Sequence, residues 1–310
     1  MTTQKHEPSQ QEWESSRWKR LAKSIRRTLD EQGRLFVQSK MAVAGILILI
    51  FYTFVAIFAP FLAPHGPQER HYATDGSWMS LEPPSLAHPL GTTESGYDVL
   101  SQVIMGSRIA IFVGLLGAFM VAVIGTMIGI IAAYYGGRID EGLMRFVDIL
   151  YGLPFVPFVI VLTVIFGPNL WNILFGIALL YWLSTARVIR SEVLSIKERP
   201  YIEAAKASGA SNRRIMLVHI LPNVLPITAL YAAIAVGYSI TAEASISFLG
   251  FGDPAVASWG VMLNQAYTTE SLAAWWWIMP PGLSITFVVM GAYLAGRGYE
   301  EIVNPQLREP

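Results

Sequence analysis

Cysteine is absent from the 310-residue chain, which excludes disulfides, thiolate nucleophiles and cysteine metal sites. Charge is scarce. Asp, Glu, Lys and Arg make up 14% of residues, against about 25% in ordinary soluble domains. The two signs cancel to a formal net charge of zero, so nothing draws the chain towards nucleic acid. The dipeptide Gly-Lys does not occur, which rules out a Walker A phosphate loop. His-Glu-x-x-His and Gly-x-Ser-x-Gly are also missing, and with them two common hydrolytic centres. All five histidines lie outside the long apolar runs. No catalytic group and no cofactor is expected.

What the chain has instead is apolar length. Hydrophobic residues make up 53% of it and the mean hydropathy is +0.45. Charge withdraws from six stretches, the pattern of an all-α integral membrane protein with six transmembrane helices. Residues 1–40 are polar and basic, with nine Lys or Arg. Trp18, Leu21, Ile25 and Leu29 recur there at helical spacing, with Lys19, Arg20, Lys23, Arg26 and Arg27 on other faces. That predicts an interfacial helix on anionic headgroups; a solvated basic tail is the alternative. Residues 41–59 carry no charge and Pro60 and Pro64 follow, so segment 41–62 is the first span. It does not read as a cleaved signal peptide, because the basic region before it is too long and no Ala-x-Ala follows.

Segment 63–107 holds Arg70 against Glu69, Asp75, Glu82, Glu94 and Asp98. Pro83, Pro84 and Pro89 predict an irregular middle. His65, His71 and His88 share it, but their spacing fits no compact zinc signature, and no metal site is expected. The core, 108–300, then holds five spans. Residues 109–135 form the second, punctuated by Gly114, Gly117, Gly125 and Gly129, small residues that let helix backbones approach in lipid. The third includes 149–166 and starts near Leu143. Arg145 and Asp148 lie three apart there, within helical pairing distance. Pro154 and Pro157 predict a kink, either a place for motion or a static packed bend. The fourth covers 170–186, the fifth about 223–241 with Glu243 at its end, and the sixth 271–296. The tryptophans at 275–277 sit where an aromatic belt would anchor the sixth span. Residues 301–310 form a tail.

Six spans put both termini on one side, and basic residues choose the side. Residues 1–40 hold nine, the loop 187–222 seven, and Arg138, Arg145, Arg297 and Arg308 complete that face; only Arg70 and Arg108 oppose them. Both termini and the 199–222 loop are therefore expected to be cytoplasmic.

That loop is the most ordered part of the sequence outside the spans. Pro200 suits the first turn of a helix, and Glu203 falls near its positive end. Ala204, Ala205 and Ala207 are strong helix formers. Gly209 is placed to end the helix in a left-handed cap. Ser211 can cap a second helix running up to a break at Pro222. The first helix spans about two turns, roughly 12 Å, slender enough for a groove on a partner.

Glu203, Ala204, Ala205, Gly209, Leu221 and Pro222 resemble the Glu-Ala-Ala loop of permease subunits of ATP-binding-cassette (ABC) importers, with His219 where that pattern has Ile. The run from His219 to Asn223 looks like the dipeptide/oligopeptide branch. Residues 244–263 resemble the same branch, with Ser-Phe-Leu-Gly-x-Gly from Ser247 and Ser-Trp-Gly-x-Met-Leu from Ser258. Residues 88–108 resemble the segment before the core of its C-type subunits, with Thr93 and Tyr97 replacing an Asp and an Arg. Asp98 is retained there and is expected to begin a short helix on the outer membrane face. The tail at 304–309 is similar too, although Arg297 stands where an acid is expected.

The resemblance implies a type I importer permease core. It implies that the helix carrying Tyr201 docks on an ATPase subunit and transmits its closure, with Tyr201 joining the six loop residues named above as coupling positions. The implied partners are a second permease subunit in a heterodimer, two ATP-binding subunits, an extracytoplasmic substrate-binding protein and membrane lipid. The implied cargo is di- or oligopeptides; nickel complexes, glutathione and oligosaccharides are alternatives. The expected location is a prokaryotic cytoplasmic membrane. ATP hydrolysis would reside in partner subunits, so the chain itself is not an enzyme. Glu243, Asp148 and Pro154 are candidate gate or structural positions. A carboxylate at a span end is a functional candidate, and for Glu243 an outer-gate or structural hydrogen-bond role is preferred over proton relay. An ion-coupled secondary transporter is the rival reading, but it wants ionisable groups at mid-membrane or broken helices around an ion site.

Overall fold

The computed structural model describes residues 39–74 and 76–303. The basic helix expected before residue 39 and the tail signature at 304–309 lie outside the described residues. The architecture is helical: α1 Lys40–Leu62, α2 Val99–Tyr135, α3 Gly137–Tyr151, α4 Phe155–Phe166, α5 Leu170–Leu180 and α6 Leu183–Ile196. After these come α7 Pro200–Ala207, α8 Asn212–Phe251, α9 Trp259–Thr268 and α10 Trp275–Val303. Among the described residues five helices are long and apolar enough to cross a membrane: α1, α2, α5 with α6 as Leu170–Ile196, α8 and α10. The pair α3 and α4 makes a sixth candidate crossing, bent by 78° at its break.

That bend is sharper than a kink. Pro154 stands before α4 in extended geometry, and its ring disfavours a helical conformation at Leu153. Pro157 contributes no break, because it lies in the first turn of α4, where backbone N–H groups have no intrahelical partner.

Two expected breaks are absent. Asp98 does not begin a separate outer helix. Its carboxylate accepts the Ser101 N–H at 2.8 Å and caps α2, which runs 37 residues without interruption through the second span. The irregular cap therefore ends at residue 98. Pro222 does not end a helix either. Residues Ile215–Ile220 are wound as a π-helix, and the Leu221 N–H reaches back to the Met216 carbonyl. The wider turn makes room for the proline ring. Asn223 Nδ2 donates to the His219 carbonyl at 2.6 Å and satisfies it. Thus α8 extends from the loop through the fifth span and past Glu243.

With lipid on the outside, the helices are held by close packing of small residues rather than by exclusion from water. In α2, a Cβ added at Gly125 would lie 2.7 Å from Thr185 Cβ, and one at Gly129 would lie 2.8 Å from Ile189 Cβ. Both glycines therefore form a direct seat for α6. On another face of α2, Gly114 receives Ile240 of α8. Gly45 of α1 sits against the backbone of Gly291 and Leu294 in α10.

The tryptophans at 275–277 do not form a belt. Trp275 is exposed, but Trp277 is buried in the core, and Trp276 Nε1 donates to the Thr92 carbonyl at 3.3 Å. Successive residues on a helix point about 100° apart, so three in a row cannot share one lipid-facing side.

The cap is irregular, as expected, with isolated antiparallel bridges Arg70 to Tyr97, Tyr72 to Trp78 and Thr92 to Asp98. The Arg70 guanidinium lies 4.5 Å from the Trp78 ring centroid and 5.9 Å from that of Tyr97. Thr93 Oγ1 accepts the Tyr97 N–H at 3.1 Å and closes the turn between them. The cap sits at the N-terminus of α2 and the 199–222 loop at its C-terminus, about 55 Å away along the helix. Ser39 Oγ donates to Glu301 Oε2 at 3.1 Å, so the described ends of the chain meet at the end of the bundle away from the cap.

Candidate functional site

The loop helix α7 forms as its residues dictate. Pro200 occupies its first turn, Glu203 lies in that turn and Lys206 in the last, each complementing the helix dipole. Its C-terminus is a Schellman motif. Gly209 has φ +77°, its N–H bonds the Lys206 carbonyl at 3.0 Å, and the Ala210 N–H bonds the Ala205 carbonyl at 3.1 Å. A Cβ at Gly209 would meet nothing within 4 Å, so glycine is required there by backbone conformation, not by space. Ser211 then accepts the Arg214 N–H and caps the start of α8.

One residue the sequence reading passed over holds the loop in place. Ile202 is fully buried. It packs in a cluster with Ile130 of α2, Val193 and Ile196 of α6, and Ile215 and Ile220 of α8. It is the lone aliphatic residue between Pro200 and Gly209, and that isolation was the available signal. Around it, Tyr201, Glu203, Ala204, Lys206 and Ala207 are exposed and Ala205 is half-buried. The result is a short helix with one side anchored by a single branched side chain and the other side free. Lys197 Nζ donates to the Ala133 carbonyl at 3.1 Å, and Tyr134 Oη to Asn212 Oδ1 at 2.9 Å. These bonds tie both ends of the loop to the end of α2. Leu221 is partly buried against the same cluster, and Pro222 is exposed.

The other candidates separate. Asp148 pairs with Arg187 Nη2 of α6 at 2.6 Å, not with Arg145. The Arg187 guanidinium lies 4.1 Å from the Tyr151 ring centroid, which steers it to the same patch of α3. Two turns earlier on α3, Asp140 accepts both Nε and Nη2 of Arg190 at 2.6 Å, a bidentate link. Asp148 is therefore half of a second α3–α6 tie, and Pro154 marks the break beyond it. Glu243 lies far from the loop. It is buried within α8 rather than at its end, and accepts a hydrogen bond from Ser247 Oγ at 2.7 Å.

Around Glu243 the second sequence signature becomes geometry. A Cβ at Gly260 would stand 2.5 Å from the Ala244 carbonyl oxygen, so α9 lies directly on α8. Trp259 Nε1 donates to the Val103 carbonyl of α2 at 2.9 Å, with its ring against Gly106. Elsewhere, an open groove of about 480 Å³ runs between α2, α5, α6, α8 and the end of α10. Tyr181, Ser184, Thr185, Tyr231, Tyr238 and Glu300 give it polar positions.

Comparison with known proteins agrees with this layout. The family described as "binding-protein-dependent transport system inner membrane component" matches residues 125–309. A second, the "N-terminal TM domain of oligopeptide transport permease C", matches residues 31–84. The dipeptide transport system permease protein DppC of Bacillus subtilis is 37% identical over 286 residues, 92% of this chain and 88% of that protein. The oligopeptide transport system permease protein OppC of Haemophilus influenzae is 36% identical, over 89% and 88% of the two chains. The glutathione transport system permease protein GsiD of Pectobacterium atrosepticum is 33% identical, over 92% and 94%. A solved inward-facing structure of the MetNI methionine ABC transporter contains a chain of the same fold, with a TM-score of 0.52 at 19% identity. The match covers 67% of this chain and 97% of that one. The chain belongs to the binding-protein-dependent transport system inner membrane components, as an ABC importer permease of the dipeptide and oligopeptide C-type branch.

Proposed function

We propose that this permease moves di- or oligopeptides into a prokaryotic cell, driven by ATPase subunits that dock on α7. The observation that carries the reading is the two-sided character of α7. One side is fixed through Ile202 to α2, α6 and α8, and the other offers Tyr201, Glu203, Ala204, Lys206 and Ala207 to a partner. A helix so placed passes a push from outside to three membrane helices at once. The chain has no phosphate loop of its own, so the free energy arrives through that contact. Two ATP-binding subunits close around ATP, α7 moves with one of them, and the core pairs with a second permease subunit to alternate between inward- and outward-open packings. An extracytoplasmic binding protein delivers the cargo. The basic-residue asymmetry supports a cytoplasmic loop and cytoplasmic termini. Peptide cargo rests on the likeness to dipeptide and oligopeptide permeases; the likeness to a glutathione permease keeps that cargo, itself a small peptide, within the same class.

The test is co-purification. Tagged protein from gently solubilised membranes is expected to bring a second permease and two nucleotide-binding subunits. Glu203→Ala is expected to weaken their retention while leaving the permease in the membrane. A chain recovered alone and active in liposomes without ATP overturns the reading in favour of a secondary transporter. Unchanged retention with Glu203→Ala reduces that residue to support of its own helix.

A further inference from the structure

The cap carries a cluster that the transport reading does not use. His65, His71 and His88 come from three different turns, yet their ligand-capable nitrogens all lie within 4.8 Å of one another. Ring centroids are 4.3 Å apart for His65 and His71, 4.6 Å for His71 and His88, and 5.2 Å for His65 and His88. His88 is buried, and its Nδ1 lies 2.9 Å from Oδ1 of the fully buried Asp98. Asp98 accepts at its other oxygen from the Ser101 N–H at 2.8 Å and Ser101 Oγ at 2.6 Å. A carboxylate acceptor places the proton of His88 on Nδ1, leaving the Nε2 lone pair free. Ser101 Oγ also accepts the His65 backbone N–H at 3.0 Å, so one network fixes two of the three histidines. The third is pinned by its backbone: the His71 N–H bonds the Gly96 carbonyl at 2.9 Å, and its own carbonyl accepts the Met79 N–H at 3.0 Å.

Within this arrangement His71 Nε2 is buried and has no hydrogen-bond partner, which is costly for a polar atom unless something binds it. Burial, and then the neighbouring His65 and His88, hold His71 below its ordinary pKa, against the pull of Glu69 and Asp98. We propose that His65, His71 and His88 form a three-histidine site for a divalent first-row transition metal of the zinc type, with Asp98 orienting His88 from behind. Imidazole is a preferred ligand for such ions. A carboxylate on the far nitrogen of a ligating histidine is the usual supporting arrangement. Tetrahedral bonds of about 2.05 Å set nitrogen separations near 3.3 Å, so modest rotations of the imidazoles bring the cluster onto an ion. Asp98 and Glu69 supply two negative charges against the ion's two positive ones. Glu69 now accepts the Gly66 N–H at 2.9 Å and stands beside the fourth coordination position. The ion would clamp together the exit of α1 through His65, the bridged turns through His71, and the approach to α2 through His88. The proposal does not depend on cargo or on ATPase docking.

The test uses the full chain in detergent, carrying an affinity tag free of histidine, stripped with chelator and titrated with Co²⁺ and then Zn²⁺. Expected are one Co²⁺ per chain, with the intense visible bands of a tetrahedral or five-coordinate site, and displacement by Zn²⁺. His71→Ala and His65→Ala are expected to abolish that saturable binding; both side chains are partly exposed, so both variants should fold. Asp98→Asn retains a helix-capping side chain and is expected to weaken binding about 10- to 100-fold. Zn²⁺ is further expected to slow proteolysis within residues 63–98 in the wild type and not in His71→Ala. Binding that fails to saturate near one equivalent, or that is unchanged in the two histidine variants, overturns the proposal.

Discussion

Substitutions at Gly209 separate two explanations of the loop that sequence alone merges. The residue sits at φ +77° with open space where a side chain would go. Bulk is therefore tolerated and conformation is not. A non-glycine L-residue in this region costs about 1–2 kcal/mol, with Asn at the low end because its short polar side chain suits the left-handed region. A β-branched residue lies at or above the high end. If the turn relaxes instead, the two closing bonds from Gly209 and Ala210 are lost, at about 1 kcal/mol each. Either way the docking-competent loop becomes less populated, and apparent affinity falls in proportion. Because 1.4 kcal/mol is about tenfold, Gly209→Ala should weaken ATPase binding about five- to tenfold and Gly209→Val about 30-fold or more. Gly209→Asn should stay within about threefold of wild type. The assay is binding of labelled ATPase subunits to permease in nanodiscs, with ATP-driven uptake alongside. Asn and Val have similar volumes, so a ranking by size, with Asn as damaging as Val, would refute the conformational account.

Ile202→Ala should remove the anchor of α7. Burying a branched aliphatic side chain of this kind contributes about 2–5 kcal/mol, so amide exchange across Pro200–Ala207 should accelerate by two orders of magnitude or more, while exchange in α2 stays slow; unchanged protection of α7 would mean the anchor lies elsewhere. Glu243→Gln keeps an oxygen to accept from Ser247 Oγ, so uptake should survive. Collapse of uptake in a folded Glu243→Gln variant would instead require a titrating carboxylate. The bidentate Asp140–Arg190 pair should show a coupling of about 1–3 kcal/mol in a double-mutant cycle on thermal stability, larger than that of the more exposed Asp148–Arg187 pair; equal couplings would contradict the burial argument.

What could be read beforehand was what local chemistry decides. Runs without charge became helices because a lipid-facing backbone has few other ways to satisfy its polar groups. Gly209, the alanines and Pro200 specified α7 to the residue because each acts on its own backbone. The Gly125 and Gly129 spacing became a real helix contact because a missing side chain is visible in sequence. What stayed hidden depends on a neighbour. Asp148 chose Arg187 over Arg145 because α6 presents that guanidinium on Tyr151. The tryptophans at 275–277 turned inward because the cap supplies a carbonyl at Thr92. The three histidines met because the bridges at Arg70, Tyr72 and Thr92 fold the cap back on itself, and no spacing rule encodes that.

Prolines gave the most misleading reading, and the reason bears on how the loop is joined to the core. Pro154 breaks a helix and Pro222 does not, although both lie in apolar surroundings. The difference is the π-wound stretch Ile215–Ile220, which absorbs the missing donor and carries α8 onward. Its two buried residues, Ile215 and Ile220, belong to the cluster that holds Ile202. The wide turn is therefore where the loop helix meets the longest helix of the core. From there α8 reaches about 60 Å to the packed region of Glu243, Gly260 and Trp259 at its far end. A π turn has weaker, more adjustable backbone bonding than the α-helix on either side. It can take up a small displacement of α7 without unseating Pro222, while the α-helical remainder carries the displacement as a rod. Straightening the stretch by deleting one residue within Ile215–Ile220 should leave the spans intact, rotate everything after it by about 100°, and remove coupling between ATP hydrolysis and uptake.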